Sequence, residues 1–307
     1  MIDAVVTWVD GADPAHREKR ARHGGGAAAA AVEETRFASS GEVYFAVRSL
    51  LRFCPFVRRI HVVTDGQHPA PLDPILAGPE GGRIRVVDHR EIFGEHADLL
   101  PVFSSRSIET MIHRVPGLAE RFLYLNDDIF VGRAMRPGDY FDGDRPVLRG
   151  RMTRFPAPLL TWAKARIRSD RPGYAAAQRA AARSLGRRRD YLMLEHMPHA
   201  LRRDTLAAFY AGRPEALRAQ AGFRFRDAGQ VSPVGLAMHL ELAAGARVAA
   251  PQDVGYVRPG RPTGAALRRV MARLEAGGFA SFCVQSLDRM APEDRACILA
   301  ALASRYG

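Results

Sequence analysis

Lysine is almost missing from this chain: Lys19 and Lys164 are the only two in 307 residues. Cysteine is scarce as well. Cys54, Cys283 and Cys297 are far apart, odd in number and not in CxxC spacing, so they read as reduced core thiols of a cytosolic protein rather than a disulfide framework. No uninterrupted apolar run approaches the roughly 18 residues needed to span a bilayer. Met1-Ile2-Asp3 runs straight into an apolar strand pattern without a basic leader, so no signal peptide is expected.

What is abundant is arginine. Lys and Arg total 45 against 33 Asp and Glu, and the excess is almost all guanidinium. Its planar fork suits phosphate oxygens. Such a balance fits nucleic acid, an anionic membrane surface, or a phosphorylated substrate or polyanion. No nucleic-acid-binding signature and no interleaving of aromatic with basic residues supports the first, so nucleic acid is not an expected partner. The apolar and charged fractions are those of an ordinary globular protein.

Strand and helix patterns alternate along the first half. Residues 3–9, "DAVVTWV", read as a buried strand ending in the turn signal "DGADP". "GGGAAAAA" (Gly24 to Ala31) has no periodicity and is expected to be a loop or frayed helix. From Gly41 the spacing of Val43, Val47, Leu50 and Leu51 predicts a helix that Pro55 stops. "RIHVVTDG" and "IRVVDH" are two further strands, a helix runs from about Ser104 to His113, and "RFLYLNDDIFVG" is a fourth strand. This alternation predicts an α/β, Rossmann-like fold with a mostly parallel sheet covered by helices on both faces. In such sheets ligands sit at the carboxyl ends of the strands. Asp10, Asp65, His89 and the Asn126-Asp127-Asp128 cluster all fall there.

The second half is expected to be largely helical. Residues 157–190, rich in Ala and Arg, predict a helical insertion or cap with a basic solvated face, and residues 200–245 further helices. A short strand "DVGYVRP" and a helix from Pro292 to Tyr306 close the chain. Without a repeat or long linker, the whole of 1–307 is expected to form a single catalytic domain.

Asp127 and Asp128 are adjacent, so a regular strand would send them to opposite faces. If the strand ends at Asn126, a turn can aim one carboxylate at a metal and the other at a supporting hydrogen bond. Hard oxygen ligands suit Mg²⁺ or Mn²⁺ bridging a diphosphate. A plain turn capped by Asn and Asp accounts for the same residues. In "TWVDGADP", Thr7, Trp8, Asp10 and Gly11 are placed to hold a nucleoside's base and ribose, or else form an Asp-Gly turn beside a core Trp. "TDGQHP" repeats that logic at Asp65. His196 and His199 lack further ligands at zinc spacing; His196 reads better as an acid/base or phosphate donor, or as a helix-start residue. Arg224 and Arg226 alternate with Phe223 and Phe225, which predicts one strand-like face carrying both guanidiniums, toward phosphate or solvent.

In order, "DAVVTWVDGADP", "EVYFAVRSLLRFCPFVRRIHVVTDGQHP", "HREIFGEHADLLPVFSSRSIETMIHRVPGLAERFLYLNDDIFVG" and "EHMPHALRR" resemble the conserved regions of the Stealth family. That family comprises hexose-1-phosphate transferases, among them bacterial capsular polysaccharide phosphotransferases. The resemblance implies transfer of a sugar-1-phosphate from a nucleotide sugar such as UDP-GlcNAc to a carbohydrate acceptor hydroxyl, with a phosphodiester formed and UMP released. It implies a donor site at Thr7, Trp8, Asp10, Gly11, Arg48, Asp65, Ser105, Glu109 and Asn126. Asp127 and Asp128 fall in the metal and catalytic region, His196 matches the catalytic His and Arg226 an important downstream Arg. The chain departs from the family pattern at Val102, Ser104 and Phe56. It departs again at "FASFCVQSLDRM", where Gln285 and Ser286 replace an Asn-Asp pair and Asp288 is the nearest carboxylate. No role is assigned to Gln285. The expectation is a cytoplasmic, divalent-metal-dependent transferase with peripheral contact to the inner membrane face. The rivals are a metal-dependent glycosyltransferase that releases UDP and a non-enzymatic polyanion- or membrane-binding protein.

Overall fold

A computed structural model of the chain describes residues 1–25, 32–157 and 173–307. The central sheet is built from β1 (Ile2–Thr7), β2 (Val57–Thr64), β3 (Ile84–Asp88) and β4 (Arg121–Asn126), all parallel. Strand order is β4-β1-β2-β3, and β10 (His199–Arg202) adds an antiparallel edge beside β4. Every residue of β1 is buried, as a strand covered on both faces requires. Ala4, Val6 and Trp8 face one core, with the Glu42–Phe53 helix and the C-terminal helix Pro292–Tyr306. Val5, Val63, Phe122 and Tyr124 face a second core beneath the Pro233–Ala243 helix. The mostly parallel pairing of the sheet and the helices on both faces agree with the α/β expectation.

The expected fourth strand is in fact two. β4 stops at Asn126, Asp127 and Asp128 form a turn, and β5 (Ile129–Val131) joins a different sheet. There it pairs antiparallel with β13 (Ser281–Val284), which runs parallel to β12 (Val254–Val257). Val284 N–H donates to the Asp128 carbonyl at 2.9 Å, which ties the turn to that second sheet. The hairpin β6 (Phe141–Asp142) and β7 (Arg145–Pro146) leads to β8 (Leu148–Arg154). β8 pairs with β9 (Asp190–Leu194) and β11 (Val248–Ala249).

The expectation for 157–190 falls in part on 158–172, outside the described residues, as does most of Gly24 to Ala31. Within it, Tyr174–Ser184 is a helix, and it buries Ala177, Gln178, Ala181 and Ala182. That face packs on the Pro233–Ala243 helix and β9, so this part is integral to the second core. Around Arg224 and Arg226 the chain is irregular, not strand-like. Phe225 anchors in a small cluster with Phe37 and Phe103, leaving Arg224 exposed and Arg226 half-buried.

Candidate active site

One cavity of about 530 Å³ runs along the carboxyl ends of the parallel strands. Thr7 ends β1 and Asn126 ends β4, and the two are register partners. Asn126 Oδ1 accepts from the Tyr124 hydroxyl at 2.9 Å and from Thr7 Oγ1 at 3.3 Å. This network fixes the strand end from which the acidic turn departs. The Asp127-Asp128 turn opens onto the cavity because the chain must leave one sheet for the other at that point.

Glu42 joins the two aspartates. Gly41 takes a left-handed conformation (φ 87°), and Glu42 follows it as the first residue of its helix. Burial and the neighbouring carboxylates push all three acids upward, Asp127 well above its ordinary range and Asp128 to about 6. The Cys283 thiol donates to Asp128 Oδ2 at 3.7 Å and partly offsets that shift. Ionised carboxylates are therefore disfavoured at this turn, a cost that a bound cation would relieve. Among the described residues, no three His, Cys, Asp or Glu side chains are already converged on a metal position.

Across the cavity Arg226 Nη2 donates to Ser105 Oγ at 2.6 Å. Burial raises the Glu109 pKa, while Arg226 and Arg106 pull it back. His196 sits in the short loop between β9 and β10. Its ring is stacked between Tyr174 (centroids 4.9 Å apart, planes at 28°) and Tyr256 (5.0 Å, 16°). Burial lowers its pKa, so the imidazole is neutral at pH 7. The Tyr256 hydroxyl donates to Gln285 Oε1, and Gln285 lines the cavity.

Of the sequence-derived site residues, Thr7, Trp8, Ser105, Glu109, Asn126, Asp127, Asp128, His196 and Arg226 line this cavity. Trp8 already spends its indole N–H on Ser39 Oγ at 3.1 Å. Asp10, Gly11, Arg48 and Asp65 are not among the lining residues. Asp10 caps the turn through Ala12 N–H (2.8 Å) and exchanges backbone hydrogen bonds with the Gln67 amide. Gly11 is needed for packing, since a Cβ there would lie 2.4 Å from the Phe37 Cβ and carbonyl oxygen. Arg48 points to the C-terminal helix, donating to the Tyr306 carbonyl at 3.1 Å and pairing with Glu80 at 3.5 Å. Asp65 lies behind the cavity wall, in an ion pair with Lys19 at 3.0 Å. Sequence reasoning missed Glu42, Tyr174 and Tyr256. Glu42 carried one signal, an acid just after a Gly at a helix start, but that reads equally as a helix-dipole partner.

Residues 2–26 match the model of Stealth protein conserved region 1, and residues 36–147 that of conserved region 2. The chain belongs to the Stealth family. It is 37% identical over 287 residues to an exopolysaccharide phosphotransferase of Streptomyces coelicolor, an alignment covering 92% of this chain and 47% of that protein. A second S. coelicolor exopolysaccharide phosphotransferase is 35% identical over 314 residues, 99% of this chain and 49% of its own. The capsular polysaccharide phosphotransferase WcwK of Streptococcus pneumoniae is 38% identical over 146 residues, 47% and 42% of the two chains. The chain thus spans half or less of the length of these curated relatives. Among solved structures, the galactosyltransferase LgtC, in complex with donor and acceptor sugar analogs, aligns with 100% of this chain and 97% of its own. The identity there is 13% and the TM-score 0.49, a likeness too distant to speak for chemistry.

Proposed function

We propose that this chain transfers hexose-1-phosphate from a UDP-sugar to a carbohydrate hydroxyl during capsular or exopolysaccharide synthesis, releasing UMP. The observation that carries the reading is the meeting in one cavity of the acidic turn, Arg226 and a neutral His196, delivered by three separate stretches of chain. The names of the relatives fit it.

The acceptor oxygen forms a bond to the sugar-bearing phosphorus. The bond from that phosphorus to the bridging oxygen breaks, and UMP leaves with the electron pair. Charge grows on phosphoryl oxygens, so the protein's task is positioning and electrostatic stabilisation. Arg226, held by Ser105 and compensated by Glu109, meets that charge with a fixed guanidinium. His196 takes the acceptor's proton. Its two faces are covered by tyrosines, so the nitrogens at the ring edge are what it can offer.

The carboxylates of Asp127 and Asp128 fit Mg²⁺ or Mn²⁺, since they are hard oxygen donors whose mutual repulsion a cation would relieve. Such ions are commonly held by one or two carboxylates plus substrate phosphates, so a cage of protein ligands is not required. When bound, the ion would supply charge neutralisation to the diphosphate. We place the reaction in the cytoplasm, where the basic surface suits an anionic polymer or the inner membrane face. Among the described residues, no helix is long and apolar enough to cross a membrane.

Incubation with a panel of UDP-sugars, Mg²⁺ or Mn²⁺ and candidate glycan acceptors, followed by nucleotide identification, tests the reading. UMP with a new phosphodiester is expected. Release of UDP would mean that the sugar–oxygen bond breaks instead, and the protein would be a glycosyltransferase.

A further inference from the structure

The cavity continues past the acidic turn. Along the order β4-β1-β2-β3, Asn126, Thr7 and Val63 lie at successive strand ends, and His89 directly follows β3. All four line the cavity. Three inter-strand spacings separate the first from the last, roughly 14 Å. The two ends differ in charge. Asp127, Asp128, Glu42 and Arg226 stand at the β4 end. The β3 end has Val63, Val102 and Phe103 with two imidazoles, His16 and His89.

These imidazoles are buried, at 2% and 1% exposure, yet both ring nitrogens of His89 and Nδ1 of His16 have no hydrogen-bond partner. Asp65 is beyond hydrogen-bond reach, 3.8 Å from His89 Nδ1 and 3.9 Å from His16 Nε2. Its charge is already met by Lys19. Burial lowers both pKa values, that of His89 to about 4, so both rings are neutral at pH 7. A neutral imidazole offers one in-plane donor and one in-plane acceptor. Phe103 packs edge-on against His16, 5.6 Å between centroids, and keeps that ring in place.

Buried polar groups without partners are costly and rare in native proteins, so His16 Nδ1 and His89 Nε2, the two nitrogens that do not face Asp65, point to a ligand. A phosphate does not suit two neutral rings beside a carboxylate. A hexose does not suit the apolar walls, which would leave most of its hydroxyls unpaired. A flat heterocycle with a few polar atoms on its edge suits both. Resting on the reading that this cavity takes a nucleotide sugar, we propose that the β3 end seats the nucleobase, with His16 and His89 reading its hydrogen-bonding edge. The diphosphate then runs back over Thr7 toward Arg226 and the acidic turn, and the hexose comes to rest beside His196. The donor enters in one orientation because the β3 end is lined by apolar side chains and neutral imidazoles, whereas the acids and Arg226 stand at the β4 end.

Calorimetric titration of UMP and of inorganic pyrophosphate, with Mg²⁺ present, into the wild-type chain, His16→Gln and His89→Gln tests this. Each substitution should weaken UMP binding about tenfold, the loss of one hydrogen bond from a buried pair, and leave pyrophosphate unchanged. Retained pyrophosphate binding also reports that the variant is folded; His16→Ala serves as a second variant at the same site. If wild-type chain binds UMP but the substitutions leave that affinity unchanged, the nitrogens hold only ordered water and the base lies elsewhere. Equal losses for UMP and pyrophosphate overturn the assignment too. A wild-type chain that binds pyrophosphate but no nucleotide would instead overturn the donor reading itself.

Discussion

The rings of His196 and Tyr256 lie face to face, 5.0 Å between centroids and 16° from parallel. Tyr174 covers the opposite face at 4.9 Å. When His196 accepts a proton, the imidazolium finds a π-face on either side, each worth about 1 kcal/mol. Tyr256 is itself held by its hydroxyl on Gln285. Tyr256→Leu should therefore lower kcat five- to tenfold, roughly the loss of one such face, with KM little changed. Tyr256→Phe should keep most activity. An unchanged kcat in Tyr256→Leu, or a loss confined to KM, sinks the stacking role.

Asp127 faces the charge of Asp128, and both face that of Glu42. Neutralising either one removes repulsion from the folded state. Asp127→Asn and Asp128→Asn should then unfold at the same temperature as wild type or a few degrees higher, a gain of about 1 kcal/mol. Turnover should fall by two orders of magnitude or more. Mg²⁺ should raise the melting temperature of the wild type and have less effect on the variants. Thermal unfolding with and without Mg²⁺, beside UMP release, checks all three. A marked loss of stability in both variants would show that the aspartates serve the fold rather than the site.

Arg226 and Glu109 are coupled, because the guanidinium compensates a buried carboxylate. Arg226→Ala should lower kcat/KM at least a hundredfold and destabilise the fold by about 2 kcal/mol, the cost of stranding a buried charge. Adding Glu109→Gln should recover most of the stability and none of the activity. A double-mutant cycle on denaturant unfolding reads the coupling. Additive stability changes would show that the two residues do not communicate.

Asp3 lies far from this chemistry and is fully buried. It accepts from Arg58 Nε and Nη2 at 2.9 and 2.7 Å and from Ala119 N–H at 2.8 Å, with His61 Nε2 at 3.4 Å. Burial alone would raise its pKa, but these partners outweigh it and hold the carboxyl well below its ordinary range. A depressed folded-state pKa means the stabilisation is complete above the unfolded value, about 3.9. It is lost as pH falls from there through the folded value. Asp3→Asn should cost about 3 kcal/mol at pH 7 and noticeably less at pH 3. Denaturant midpoints at the two pH values test this; an equal loss at both would exclude the charge as its source.

Much of the scaffold was legible because local chemistry writes it. Continuous apolar runs marked β1, β2 and β4, and the Val43, Val47, Leu50, Leu51 spacing marked the helix after Gly41. The strand ends then indicated where to look, and nine of the thirteen site residues that the resemblance implied line one cavity, with His89 beside them. Asp10 and Asp65 sit at strand ends as well, yet one caps its own turn and the other pairs with Lys19. Strand position alone does not say which way a loop carboxylate turns. Arg48 reads the same on paper whichever face of its helix it occupies, and the C-terminal helix claims it.

By itself the sequence determined the alternating scaffold and singled out the strand ends, with the Asn126-Asp127-Asp128 cluster among them, as the place of the candidate site, since these depend on periodicity and composition over a few residues. Only the tertiary structure decided that "LNDDIF" splits between two sheets, that Glu42 joins Asp127 and Asp128, and that tyrosines from two distant segments clasp His196. Those relationships arise between residues tens to hundreds of positions apart, where no local pattern constrains them and packing alone sets who meets whom.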